Sequence, residues 1–325
     1  MNLDVIFLGT AGSVPTPNRI TSATLIRRGG ERLLVDCGEG VQRRLMQSAA
    51  GLSDIEVVLL THLHADHYLG LPGLLKTFDL RERTAPLALY GPPGTRALLR
   101  ALQPIVGRLA FPFVALDIAP GEEVACDGYR LLAVPTVHRV PSIGWSLVED
   151  DRPGRFDVDE ARRLGVPEGP LFGRLQRGED VTLADGTVVR AAGIVGEDRA
   201  GRRIVISGDT RPCDGILAAS LGADLLVHEA TFLEDERDRA RETKHSTARE
   251  AAELAAEAGV TMLALTHLST RYPPRAVKEE ARAVFANAHA PRDLDLADLP
   301  FRERGEPRIV HGGGAQRAAE EELTP

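Results

Sequence analysis

Thr61-His62-Leu63-His64-Ala65-Asp66-His67 is the stretch from which the rest of the chain can be ordered. Three histidines and an aspartate fall within six residues, directly after the apolar run Val57-Val58-Leu59-Leu60. That run is β-branched and leucine-rich, so it reads as a buried strand with the cluster at its C-terminal end. Imidazole and carboxylate donors in this mix suit zinc or a similar divalent metal. His62 and His64, at i and i+2, let a strand-exit loop aim both rings the same way. Asp66 and His67 follow at once and cannot crowd the same tetrahedral ion, so the spacing asks for a second metal. The competing reading is a histidine-rich surface loop. The whole chain has nine histidines in 325 residues, and three of them within six positions weigh against that.

The His-x-His-x-Asp-His form resembles the signature of the metallo-β-lactamase superfamily. The remaining pieces of that pattern follow in order: Asp36 after Leu33-Leu34-Val35, His138 after Val134-Pro135-Thr136-Val137, Asp209 after Ile204-Val205-Ile206-Ser207-Gly208, and His267 after Leu263-Ala264-Leu265-Thr266. Each follows an apolar run that reads as a strand. The resemblance implies an α/β protein, a four-layer αββα sandwich, and alternating strands and helices along the chain agree with a layered architecture.

Composition bounds the rest. Hydrophobic content of 43% and charged content of 26% are ordinary for a globular protein. No apolar stretch reaches the ~18 residues of a membrane span, and the start lacks a basic region before an apolar core, so no membrane partner and a cytoplasmic location are expected. Three cysteines, Cys37, Cys126 and Cys213, show no zinc-knuckle spacing and fit a reducing compartment. A net charge of −8 argues against indiscriminate coating of nucleic acid, which needs extended basic surface.

Along the chain, Gly9-Thr10-Ala11-Gly12-Ser13 leaves the first strand as a glycine-rich turn and lacks the phosphate-loop pattern. Helices are predicted from Val41 to Ala49, Leu69 to Leu80, Thr95 to Leu102, Thr247 to Gly259 and Pro274 to about Ala286. Thr247 and Glu250 have capping-box spacing, which places His245 just before a helix N-terminus. Residues 151–180 break the rhythm with Gly and Pro density and interleaved charge; they read either as an arm projecting from the core or as a tolerated surface insertion. The expected organisation is one domain over residues 1–311, interrupted by that arm, and a flexible tail over 312–325.

Further motifs narrow the family. Asp36-Cys37-Gly38-Glu39-Gly40, Ser207-Gly208-Asp209-Thr210-Arg211, His228-Glu229-Ala230-Thr231-Phe232, His245-Ser246-Thr247-Ala248 and Thr266-His267-Leu268-Ser269-Thr270-Arg271-Tyr272 together resemble the short form of the ribonuclease Z family. The resemblance covers the chain from Phe7 to about Phe285. It implies a zinc-dependent endoribonuclease that removes the 3′ trailer from precursor tRNA, leaving a tRNA 3′-hydroxyl and a trailer 5′-phosphate. It also implies that His62, His64 and His138 hold one Zn2+, that Asp66, His67 and His267 hold the other, and that Asp209 bridges; Mn2+ or another divalent ion is an alternative. Asp66, Glu229 and His245 are then the catalytic candidates, with His245, steadied by Glu229, as proton donor. A cap or scaffold role for Glu229 stays open. Family members carry an inserted exosite arm with a Gly-Pro motif like Gly169-Pro170, and a homodimer in which one subunit's arm serves the other's site. That arm is usually basic. Here residues 151–180 hold six arginines against seven acids, so Arg174 and Arg177, with Arg271 near the last motif, are the candidate substrate contacts. The rival on the same scaffold is a hydrolase of small phosphodiesters, thioesters or lactones, which has no need of the arm or of His245. A metal-stabilised RNA-binding protein without catalysis is the rival from another class.

Overall fold

The apolar runs assemble into two large sheets in a computed structural model that describes residues 1–52 and 54–312. The first has eight strands in the order Arg308–Val310, Leu296–Asp298, Leu3–Gly9, Ala23–Arg28, Glu31–Val35, Ile55–Leu59, Leu87–Gly91 and Phe113–Asp117. The second has seven, in the order Ala288–His289, Met262–Thr266, Leu225–Glu229, Arg203–Ile206, Ile143–Glu149, Tyr129–Pro135 and Glu123–Cys126.

Side chains alternate along each strand, and both faces of each sheet are buried. Phe7, Val35 and Leu59 of the first sheet meet Trp145, Ile206 and Val227 of the second in the central layer. The other face of the first sheet, with Leu8, Leu34 and Val58, packs on helices Val41–Gln47, Leu71–Leu80 and Thr95–Val106. Val205, Leu226 and Leu265 of the second sheet pack on Asp214–Ser220, Ala248–Ala258 and Pro274–Arg282. The result is the four-layer αββα sandwich that the motifs implied. Thr247 and Glu250 form the capping box at the helix Ala248–Ala258. Two predicted helices change length: Thr95–Val106 runs past Leu102 and carries Pro104 inside, and Pro274–Arg282 stops before Ala286.

Strand direction positions the site. Glu31–Val35, Ile55–Leu59, Leu87–Gly91 and Phe113–Asp117 run parallel, as do Arg203–Ile206, Leu225–Glu229 and Met262–Thr266. Loops leaving the carboxyl ends of parallel strands gather at one edge of a sheet. Trp145 ties the sheets together there, its indole N–H donating to the Leu60 carbonyl at 3.0 Å, one residue before Thr61.

The arm is longer than residues 151–180. Helices Val158–Arg163 and Pro170–Gln176 and the hairpin Val181–Thr182 with Val188–Val189 close around a small core of Ala161, Val166, Leu175, Val189 and Ile194. Val181, Val189 and Ile194 of that core lie beyond position 180, and the segment rejoins the body where Arg152 bridges Arg199. Two-residue strands are too short to show a period, so the second half carries no alternation to read. The expected tail, apart from Gly312, lies outside the described residues. Among the described residues no helix is long and apolar enough to cross a membrane.

At the far end of the sandwich a buried ion cluster joins the two sheets. Glu149 accepts from Arg202 at 2.7 and 2.9 Å and from Arg28 at 3.1 Å, while Arg202 also donates to the carbonyls of Leu299 and Met1. Burial alone would raise the Glu149 carboxyl; the hydrogen bonds and charge of Arg202, with Arg28, outweigh it and hold the group below its ordinary value. A depressed folded-state value stabilises the fold at pH above the unfolded carboxyl's value, and the contribution is lost as pH falls through the folded value. Glu149→Gln should therefore cost about 3 kcal/mol in urea unfolding at pH 7, because buried Arg202 loses its counter-charge and Arg28 is left with Glu31 alone. The gap between parent and variant should close in a titration carried below the ordinary carboxylate range.

Candidate metal centre

His62 and His64 leave the strand Ile55–Leu59 through Thr61, and Asp66 and His67 lie on a one-turn helix, Ala65–Tyr68, where a loop was expected. His138 follows Tyr129–Pro135, Asp209 follows Arg203–Ile206, and His267 follows Met262–Thr266. All seven sequence-predicted ligands converge. His62, His64, His138 and Asp209 present donor atoms within 4.8 Å of one another, and so do Asp66, His67 and His267. Asp209 belongs to both neighbourhoods: Oδ2 is 3.6 Å from His62 Nε2 and 3.3 Å from His267 Nε2, and Oδ1 is 3.5 Å from His67 Nε2.

The hydrogen bonds behind the rings set their tautomers. His62 Nδ1 lies 3.1 Å from the Thr61 hydroxyl, His67 Nδ1 2.7 Å from Asp36 Oδ2, His138 Nδ1 3.2 Å from the Lys244 carbonyl, and His267 Nδ1 2.8 Å from the Thr231 hydroxyl. Each Nδ1–H donates outward, so each Nε2 turns a bare lone pair inward. His64 points Nδ1 instead, 3.0 Å from His62 Nε2 and 3.2 Å from His138 Nε2. Nitrogens held at about 2.0–2.1 Å from a tetrahedral zinc lie about 3.3 Å apart. His67 Nε2 and Asp209 Oδ1 are buried and have no hydrogen-bond partner. Bare donors meeting at this spacing fit divalent cations.

Local backbone follows the same demand. Asp36 (φ 57°) and His267 (φ 55°) are both left-handed, a conformation unusual for residues with side chains, and both sit where a strand must turn sharply toward the cluster. Two glycines give the rings room. A Cβ on Gly12 would lie 2.6 Å from the His267 ring, and one on Gly208 (φ 59°) 2.6 Å from the Thr61 side chain. Asp36 also accepts from the Thr61 amide at 2.8 Å and from Ser22, so one carboxylate steadies both His62, through Thr61, and His67. Burial would lower the His67 imidazole, but Asp36 and Asp209 lift it well above its ordinary value, so a cation held at Nε2 takes the place of a proton there. Burial opposes ionisation of Asp66 as well, and His267 and His67 hold it well below the usual range. The Ser13 amide donates to Asp66 Oδ2 at 2.8 Å.

Glu229 and His245 form a second unit beside the cluster. The Glu229 carboxylate is buried and accepts from His245 Nδ1 at 2.8 Å, the Thr210 amide at 2.8 Å, the Thr231 hydroxyl at 2.6 Å and the Ser246 amide at 3.2 Å. Burial would lower His245; Glu229 reverses it and raises the imidazole to about 9. His245 stacks on His267, with ring centroids 5.4 Å apart. The residue before it, Lys244, is left-handed at φ 58°; its carbonyl accepts from His138 Nδ1 and its ammonium donates to the His138 carbonyl at 3.2 Å.

A cleft of about 280 Å³ opens past His245, lined by Gly12, Thr231, Phe232, Arg139, Arg239 and Arg271 among others. Arg271 was legible from its motif. Arg139 and Arg239 were missed: the first carries no mark beyond following His138, and the second is one charge in a charged helix. Gly169, Pro170, Arg174 and Arg177 lie on the arm, outside this cleft. Gly169 (φ 129°) and Pro170 start the helix Pro170–Gln176, and Arg174 and Arg177 are both paired with Glu179, at 3.1 and 3.0 Å.

The Beta-lactamase superfamily domain family matches residues 31–268. A curated Ribonuclease Z from Haloferax volcanii is 46% identical over 97% of this chain and 99% of its own. One from Gemmatimonas aurantiaca is 50% identical over 93% of this chain and 98% of its own. The crystal structure of human tRNase Z, short form, superposes with a TM-score of 0.66 at 28% identity, covering 91% of this chain and 99% of that one.

Replacing Asp36 with Asn should weaken divalent-metal affinity by roughly 10- to 100-fold, as loss of an outer hydrogen-bond partner does for metal-ligating histidines, with little change at sites far from it. Chelator competition checks this; unchanged affinity would mean that Asp36 only supports the fold. From its motifs, its fold and these relatives, the chain belongs to the ribonuclease Z family within the β-lactamase superfamily.

Proposed function

We infer that the chain is a metal-dependent endoribonuclease that removes the 3′ trailer from precursor tRNA, loaded with two Zn2+ per chain. The observation that supports it most is the Glu229–His245 pair, 2.8 Å apart and set against a donor cluster that shares Asp209. A hydrolase of small esters needs only the cluster. Cleaving an RNA backbone to a free 3′-hydroxyl also requires a proton for a poor leaving oxygen.

Bound divalent cations would supply Lewis acidity and positive charge at the phosphodiester. His62, His64 and His138 would hold one, Asp66, His67 and His267 the other, and Asp209 would bridge them. Asp66, with one oxygen engaged by Ser13, orients or deprotonates the attacking water. His245 delivers a proton from Nε2 to the departing ribose 3′-oxygen, because Nδ1 is engaged with Glu229. Helix dipoles disfavour an imidazolium at an N-terminus, yet Glu229 supplies a full opposing charge at hydrogen-bond distance. Glu229 in turn is fixed by Thr210, Thr231 and Ser246.

The arm, with Gly169, Pro170, Arg174 and Arg177, would grip the tRNA body as an exosite. In this reading the two arginines exchange Glu179 for phosphate on binding. The chain would act as a homodimer, each arm serving the partner's site, and reside in the cytoplasm.

His245→Ala should lower single-turnover kcat on end-labelled precursor tRNA by about 10²- to 10⁴-fold, the usual worth of a general acid, with tRNA affinity held within a few-fold. Equal losses in both would make the residue structural. Products should carry a tRNA 3′-hydroxyl and a trailer 5′-phosphate; a 2′,3′-cyclic phosphate would exclude attack by water. Metal analysis should return two zinc ions per chain, and light scattering should give twice the 35.0 kDa chain mass.

A further inference from the structure

The cleft past His245 is a built concavity of a different character from the metal centre. None of the seven predicted ligands lines it; His245 borders both regions, and Gly12, Ser13 and Thr231 on its wall back onto His267 and Asp66. Its arginines arrive from three separate segments: Arg139 directly after His138, Arg239 on the helix Arg237–Thr243, and Arg271 after Met262–Thr266. Arg139 is near enough to act electrostatically on both His245 and His64. Arg239 and Arg271 are set side by side by a single carboxylate: Glu236 lies 3.6 Å from the first and 3.3 Å from the second, and it also accepts from the Tyr272 hydroxyl. The Arg271 guanidinium lies over the Phe232 ring at 5.7 Å, and both side chains line the cleft. At about 280 Å³ the space is small for a drug-sized ligand and far too narrow for a helix. It suits one nucleotide of a single strand, whose phosphate takes the arginine forks and whose base has a guanidinium plane to stack on.

Direction follows from His245. The group that it protonates is the 3′-oxygen of the last tRNA nucleotide, so the cleft that opens past its ring belongs to that nucleotide. The next phosphate reached there is the one on its 5′ side. We propose that Arg139, Arg239 and Arg271 form a second phosphate subsite, which binds the phosphodiester one nucleotide upstream of the scissile bond on the tRNA side. The subsite sets the last tRNA nucleotide against His245 and so fixes where the strand is cut. This rests on the reading of His245 as proton donor.

The test is a cycle between protein and substrate. Precursor tRNA is prepared with one neutral methylphosphonate either upstream of the scissile bond or one position into the trailer. The zinc-loaded parent and Arg239→Ala, Arg271→Ala and Arg139→Ala variants are compared on both and on the all-phosphate substrate. On all-phosphate substrate each variant should lose roughly tenfold in kcat/KM, the size of one charge-assisted hydrogen bond. On the upstream methylphosphonate the parent should fall to a similar level and the variants should lose no more than about twofold further. On the trailer methylphosphonate the variants should keep their full tenfold loss. Additive losses on the upstream methylphosphonate would overturn the proposal, and so would coupling to the trailer position or variants indistinguishable from the parent. Because the three arginines are exposed, unchanged zinc content and thermal midpoint are expected, and a variant that loses either is replaced by the Lys substitution at the same position. A parent that leaves all-phosphate precursor tRNA uncut would instead reject the endonuclease reading itself.

Discussion

Lone pairs that face one another are the constraint on which this structure depends. The bare nitrogens of His62, His64 and His138 meet at 3.0 to 3.2 Å, and buried oxygen and nitrogen atoms of Asp209 and His67 have no donor to answer them. Such a centre is costly without positive charge at its middle, and it persists because the surroundings over-determine it. Outward hydrogen bonds lock the rings, left-handed Asp36 and His267 bend the chain inward, and the interlocked sheets hold the strand ends in register. At the opposite end, the Glu149 cluster closes the same sandwich with ordinary charge pairing. One end of the fold is satisfied by itself; the other is built to be completed by something else.

Much of this was legible because metal ligation needs particular residue types at strand ends, and apolar runs mark where strands finish. The His62–His67 cluster could be read that way; the other ligands, the Glu229–His245 pair and the αββα layering followed from the resemblance that their motifs carry. The steadying partners could not be read either way. Thr61, Thr231 and the Lys244 carbonyl act through backbone geometry or a single hydroxyl, and nothing in a sequence distinguishes such a threonine from any other. Arg139 and Arg239 were hidden for a related reason: they reach the cleft from segments brought together only by tertiary packing. The arm's boundary was misplaced because its small core rests on two-residue strands, below the length at which alternation becomes visible.

On the proposed reading, the arm and the cleft would serve different parts of one recognition problem. With a net charge of −8 the chain cannot rely on a general positive field to collect RNA. Its arginines instead come pre-paired: Arg174 and Arg177 on Glu179, Arg239 and Arg271 on Glu236. Paired guanidinium groups are held in place and partly neutralised, which favours ligands able to replace a carboxylate fork with a phosphate of matching geometry. Selectivity then comes from the placement of a few exchangeable contacts rather than from bulk attraction.

Lys244 links the ion-binding set to the cleft. Its carbonyl holds one ring of the ion-binding set while the very next peptide launches the ring that faces the cleft, so a single left-handed hinge serves both. Coupling through such a hinge is reciprocal. On the proposed reading, filling the cluster would stiffen the mounting of His245, and fastening His245 would sharpen the cluster's grip, so that readiness for ions and readiness for chemistry would rise and fall together.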